Sequence, residues 1–174
     1  MPRSRVSRDP AYRWGALSLM TAAAVILAAL GFEYIGNYVP CPLCLQQRWA
    51  YYAAIPVTFV ALVALSAGHP RVAAGLFALV ALAFLANAGL GAYHAGVEWG
   101  FWPGPDTCAA LTPTLSGGAD FLKNLANTRA VRCDEAQLRF VGLSFAGWNV
   151  IACLMLFTGT LKAAFAAREH EVYL

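Results

Sequence analysis

Charge is what this sequence has least of. Of its 174 residues, 12% are Asp, Glu, Lys or Arg and 60% are hydrophobic, and the mean hydropathy is +0.58. An average soluble domain carries roughly 25% charged residues. A soluble domain of this length has too little interior to hide so much apolar surface, so the expected solvent is lipid. No basic stripe interleaved with aromatics is present and the net charge is only +3, which sets nucleic acid aside as a partner. No apolar segment alternates strictly with polar residues, which argues against β-barrel strands. Internal repeats and low-complexity tracts are missing as well. So is the second CxxC or histidine pair that would complete a zinc site around a first CxxC, and no metal is expected.

What the sequence does have is four long apolar runs, at about residues 14–35, 49–67, 72–93 and 140–161. At 1.5 Å per residue these reach about 28–33 Å, which matches a bilayer core of about 30 Å. The expected fold is an all-α membrane protein, an antiparallel four-helix transmembrane bundle forming a single domain over 1–174. Gly75, Gly89, Gly91 and Gly147 suit close packing of helices in lipid. Arginines precede the first run, as in a signal peptide. The run is too long for a signal core and has no clear small-residue cleavage site, so it reads as an uncleaved span.

Lysine and arginine orient the bundle. Arg3, Arg5, Arg8 and Arg13 precede the first span, Arg71 lies in the 68–71 turn, and Lys162 and Arg168 follow the fourth span. These seven share one side, expected to be cytoplasmic together with both termini and the 162–174 tail. The 36–48 and 94–139 segments then face an oxidising exterior where disulfides persist. The long outer segment is punctuated by Pro103-Gly104-Pro105 and Ser116-Gly117-Gly118. Between these breakers and the fourth span, Ala119 to Ala126 reads as a short surface helix with Phe121, Leu122 and Leu125 on one side. A loop segment packing on its own neighbours fits that stretch equally well.

Five cysteines give two pairs and one spare. Cys41 and Cys44 stand at the reactive dithiol spacing in Pro40-Cys41-Pro42-Leu43-Cys44. The motif opens the second membrane helix, where Pro42 suits the first turn and the positive dipole end favours a thiolate. Arg48 continues the i, i+3, i+7 stripe of Cys41 and Cys44, so a guanidinium is expected beside Cys44. A purely structural bridge across so few residues would restrict the unfolded chain very little. Cys108 and Cys133, in the outer loop, are either a plain loop staple or a second redox pair linked to the first by thiol–disulfide exchange. Four cysteines allow three pairings, and the sequence does not choose among them. Cys153, mid-way along the fourth span, reads as a small buried hydrophobe. His94 ends the third span at the outer interface, placed to serve a quinone oxygen or to face solvent. Glu33, near the outer end of the first span, carries no functional reading.

These residues resemble the DsbB family of disulfide bond formation proteins across nearly the whole chain. The resemblance is carried by the four spans, the order of the cysteine pairs, and three segments. These are Cys41-Pro42-Leu43-Cys44-Leu45-Gln46-Gln47-Arg48, Tyr93-His94-Ala95-Gly96-Val97-Glu98-Trp99 and Cys133-Asp134-Glu135. It implies a thiol:quinone oxidoreductase of the bacterial inner membrane. In that family's manner, Cys108 would be attacked by a reduced DsbA-like thioredoxin-fold partner and Cys133 would exchange with Cys41. Cys44 would be the thiolate that reduces ubiquinone or menaquinone, with Arg48 and His94 at the quinone. A vitamin K epoxide reductase-like protein also joins four helices, a CxxC and a quinone, but there the loop cysteines precede a CxxC on a late helix. A tetraspan scaffold with structural disulfides would leave the Cys44–Arg48 spacing without a reason.

Overall fold

A computed structural model describes residues 9–105, 133, 134, 136 and 138–172. The fold is an antiparallel bundle of four helices, each long and apolar enough to cross a membrane: α1 (Pro10–Tyr34), α2 (Pro42–Ser66), α3 (Pro70–Glu98) and α4 (Phe145–Val172). Among the described residues the only sheet is a hairpin of β1 (Arg139–Phe140) and β2 (Leu143–Ser144). Cys108 and the 119–126 segment lie outside the described residues.

Local chemistry sets the helix starts. Pro10, Pro42 and Pro70 each occupy the first turn, where a missing N–H costs nothing and the fixed φ is already helical. Asp9 caps α1 by accepting from the Ala11 N–H at 2.8 Å. Gly68, at φ +80°, turns the chain between α2 and α3 at the end of the bundle far from Cys41.

Each helix outruns its apolar stretch. α2 begins seven residues before the expected span, so the dithiol motif and Arg48 sit on the helix, not in a loop. The cause is Cys41 at the cap followed by Pro42, which starts the helix while the sequence is still polar. The fourth helix begins later than expected, at Phe145. Val141 and Gly142 at φ +53° and +80° make a two-residue hairpin turn, and the residues before α4 pair as strands, with Arg139 opposite Ser144 and Phe140 opposite Leu143. α4 then continues well beyond residue 161.

The exterior is apolar all round. Leu17, Met20, Leu27, Leu79, Leu82 and Met155 are exposed on helix faces that belong against lipid. Lipid tails give helices no hydrophobic reason to associate, so the bundle is held by close fit and interior hydrogen bonds. The fit rests on small residues. A Cβ on Gly15 would lie 2.6 Å from Cζ of Phe77, and one on Gly91 would lie 3.0 Å from Cγ2 of Val150. One end of the bundle closes around Ala11, Ala61, Ala73, Phe77, Ala163 and Ala167. At that same end the Lys162 ammonium sits 4.6 Å from the centre of the Trp14 ring. At the other end, Tyr93 stacks on Trp102 with centroids 6.0 Å apart, and the Trp102 indole N–H donates to the Tyr93 carbonyl at 2.9 Å.

Candidate functional site

The dithiol is built into a helix terminus. Cys41 is the N-cap of α2, with extended backbone, and its sulfur accepts from the Cys44 N–H at 3.3 Å. The Sγ atoms of Cys41 and Cys44 lie 3.1 Å apart. Cys41 lies just outside the spanning helix, and its thiol is held well below the usual range. The Cys44 side chain is the main cause. Burial opposes it, and His94 and the Cys44 backbone N–H reinforce it.

His94, 2% exposed, comes from the C-terminal end of α3 and places Nε2 3.5 Å from Cys41 Sγ. Its Nδ1 meets Gln47 Nε2 at 2.9 Å. One turn on, Oε1 of Glu98 lies 3.8 Å from the same Nε2. Oε2 of Glu98 is buried and, among the described residues, is the one side-chain polar atom of that kind with no hydrogen-bond partner. The two sulfurs and a ring nitrogen of His94 fall within 4.8 Å of one another, a spacing that fits metal ligands.

These groups open onto a cavity of about 690 Å³ between the dithiol-side halves of α1, α2 and α4. Cys41, Cys44, Arg48, Tyr51, His94 and Glu98 line one part of it. Val25, Ile26 and Phe32 of α1 and Phe145 of α4 make the apolar wall, and Phe140 and Leu143 of the hairpin contribute the rim. A concave apolar site of this size with a few convergent polar groups suits a small organic ligand.

The expected site residues thus separate into three groups. Cys41, Cys44, Arg48 and His94 share the cavity. Cys133, 2% exposed and disulfide-bonded, packs in one cluster with Cys41, Leu43 and Val97. Cys108 falls outside the described residues. The Arg48 guanidinium, expected beside Cys44, has a carboxylate partner on α1. It is ion-paired with Glu33 and reaches the Ala29 carbonyl at 3.4 Å. A lone carboxylate late in an uncharged span and an arginine early in the next was the available signal, since charges at membrane depth pair with one another. Cys153 is fully buried, as expected of a spare cysteine, yet its neighbours are polar. It accepts from Asn87 Nδ2 at 3.2 Å and lies 3.4 Å from the Tyr51 hydroxyl. Gln47, Tyr51, Asn149 and Glu98 carried no reading from the sequence.

A four-helix membrane bundle that holds a dithiol at a helix cap, against an apolar cavity, defines a class: polytopic membrane proteins that form disulfides. The chain belongs to the DsbB family, whose description, disulfide bond formation protein DsbB, matches residues 12–163. It is 30% identical over 176 residues to disulfide bond formation protein B of Xanthomonas euvesicatoria pv. vesicatoria, covering 93% of this chain and 98% of that one. Against the protein of the same description from Herminiimonas arsenicoxydans it is 30% identical over 162 residues, covering 85% and 92%. An uncharacterized protein of Rickettsia prowazekii is 25% identical over 150 residues, covering 83% and 84%. No solved structure matches the chain at a significant level. Family membership makes the chain a disulfide-generating oxidoreductase.

Proposed function

We propose that the protein is a thiol:quinone oxidoreductase that reoxidises a DsbA-like dithiol partner in the periplasm. Electrons pass from the partner to Cys108 and Cys133, then to Cys41 and Cys44, then to a membrane quinone of the ubiquinone or menaquinone type. The protein sits in the bacterial inner membrane with both termini cytoplasmic and both cysteine segments periplasmic. The observation that carries this reading is the cluster in which Cys133 packs with Cys41 while Cys44 lines the cavity. Cys41 also lines the cavity and Cys44 also packs against that cluster, so the dithiol touches the loop cysteine and the binding space at once.

The exchange balances atom by atom. The reduced partner gives up two thiol hydrogens and forms one disulfide, and the loop pair opens. A Cys133 thiolate attacks Cys41 of an oxidised CxxC, forming a Cys133–Cys41 bond and releasing Cys44 as thiolate; a Cys108 thiolate then attacks Cys133, re-forming the loop disulfide and releasing Cys41, which leaves the CxxC reduced. A bound quinone supplies a two-electron, two-proton acceptor. The residues fit one: the cavity is apolar, and the Arg48 guanidinium, the His94 ring and the unpaired Glu98 oxygen converge on its polar part. Arg48, held by Glu33, orients a ligand oxygen, and His94 holds a proton beside Cys41.

Purified protein in lipid nanodiscs, given a reduced thioredoxin-fold dithiol protein and a short-chain quinone, is expected to reduce the quinone as the partner is oxidised, one for one. Cys44→Ser is expected to abolish this. Failure of the wild-type protein to turn over any quinone, with partner thiols unchanged, rules the reading out.

A further inference from the structure

The interior of the outer half-bundle holds a chain of hydrogen bonds that the dithiol chemistry alone does not require. The Tyr51 hydroxyl donates to Asn149 Oδ1 at 2.8 Å. Asn149 Nδ2 donates to Gln47 Oε1 at 2.6 Å, and Gln47 Nε2 donates to His94 Nδ1 at 2.9 Å. Tyr51 is 2% and Gln47 5% exposed. The chain runs from α2 to α4, back to α2 and on to α3, where it ends on the imidazole.

Each link has a direction. A carboxamide has one accepting and one donating end, so two amides in series transmit the orientation of the first to the last. The upstream end is set at Asn149 Oδ1, which receives the Tyr51 hydroxyl and also the Cys153 thiol at 3.6 Å. Asn87 Nδ2, by donating into Cys153 Sγ at 3.2 Å, leaves the Cys153 S–H free to point at Asn149. Two donors facing one atom call for the oxygen there and the NH₂ on the other side. That NH₂ meets the Gln47 oxygen, and the Gln47 NH₂ meets His94 Nδ1.

We infer that Tyr51, Asn149 and Gln47 are positioning residues that hold neutral His94 with its proton on Nε2, facing Cys41. For its catalytic half the inference rests on the proposed quinone reaction. Oxidation of the two thiols by a quinone moves two electrons and two hydrogens: Cys41–SH and Cys44–SH lose them to become a disulfide, and the quinone gains them to become a quinol. With Nδ1 occupied as acceptor, His94 has one proton to give, on the nitrogen that lies 3.5 Å from Cys41 Sγ and 3.8 Å from Glu98 Oε1. Donation from Nε2 leaves that nitrogen open to take the Cys41 thiol proton. With the ring proton on Nδ1, the face toward the sulfurs would hold only a lone pair and nothing to donate.

The test reads the ring directly. The sequence has three histidines, so His69→Asn with His170→Asn leaves His94 alone. The ¹⁵N-histidine-labelled protein in detergent is then observed at a pH where the ring is neutral. The expected spectrum shows a protonated Nε2 and an unprotonated Nδ1. Asn149→Asp keeps the shape but removes the donor to Gln47. Gln47 should then turn its NH₂ to the carboxylate and its oxygen to His94, moving the ring proton to Nδ1. Quinone-reduction kcat should fall at least tenfold, with a smaller change in quinone KM. Gln47→Glu, a second near-isosteric change, should also protonate Nδ1. The inference is overturned by a wild-type ring protonated on Nδ1, by an unchanged tautomer in both variants, or by a moved proton with unchanged kcat. A wild-type protein with the Nε2–H ring but no quinone turnover would instead defeat the proposed function and leave the hydrogen-bond chain standing.

Discussion

The two ends of the bundle solve opposite problems with the same four helices. At the Trp14 end, alanines and Phe77 close the interior, and a Cβ on Gly15 would strike the Phe77 ring. At the dithiol end the helices part around a cavity, and the interior is held by amides, an imidazole and an ion pair. The first end gets its stability from contact distance. The second gives up contact for a binding space and is held by hydrogen bonds whose directions matter. In lipid both are workable, because neither dispersion contacts nor buried polar bonds have water as a competitor. Stability and chemistry are therefore expected to respond to mutation at different ends.

Four substitutions test that division, in order of expected effect. Cys133→Ser should lower quinone reduction driven by the protein partner by roughly a thousandfold, as for removal of an essential reacting group. Reduction of the CxxC by a small dithiol should survive, and parallel assays with the two reductants would show the split; equal loss in both would dissolve the separation between loop and dithiol. Gly15→Leu overpacks the closed end and should cost about 1–3 kcal/mol, of the order of thirtyfold in the folding equilibrium. Thermal unfolding in detergent should show this while turnover per folded molecule holds within about twofold; a larger drop would mean that the two ends are coupled. Arg48→Ala leaves Glu33 unpaired at the cavity and should raise the apparent quinone KM about tenfold, the scale of one lost charged hydrogen bond. An unchanged KM removes Arg48 from the binding site. Cys153→Ala removes the weaker of the two donors to Asn149 Oδ1 and keeps the Tyr51 donor in place, so kcat should alter by no more than about twofold, less than a typical hydrogen bond contributes. A loss approaching that of Cys44→Ser would make Cys153 part of the redox set.

Among the glycines expected to pack between helices, Gly91 and Gly147 meet neighbours, while Gly75 and Gly89 have open space before them. Much of the closed end was legible in the sequence, because long uncharged runs have one physical explanation. The ends of the helices were less so. Hydropathy fades before a helix stops, and the start of α2 is decided by a cysteine cap and a proline rather than by apolar character. At the open end, spacing alone put Cys41, Cys44 and Arg48 on one stripe, and position brought His94 to the same interface. Glu33, Gln47, Asn149 and Glu98 escaped because their meaning lies in partners on other helices. Gln47 meets His94 only once the registers of α2 and α3 are fixed, and no periodicity within one helix reveals that. The hairpin at 139–144 escaped for a similar reason: Phe140 and Val141 read as the start of an apolar span until the turn at Val141 and Gly142 breaks it.

Placing a reactive sulfur at the cap of α2 has a mechanical corollary. The lone pair that accepts the Cys44 N–H belongs to the atom that changes partners during exchange, so the capping bond, of a kind typically worth about 1 kcal/mol, is weakened and restored as Cys41 changes partner. The first turn of α2 is in this sense a register of electron count, tightened when the sulfur is an anion and slackened when it is bonded elsewhere, and amide hydrogen exchange at Leu43 to Leu45 is where that rhythm should be audible.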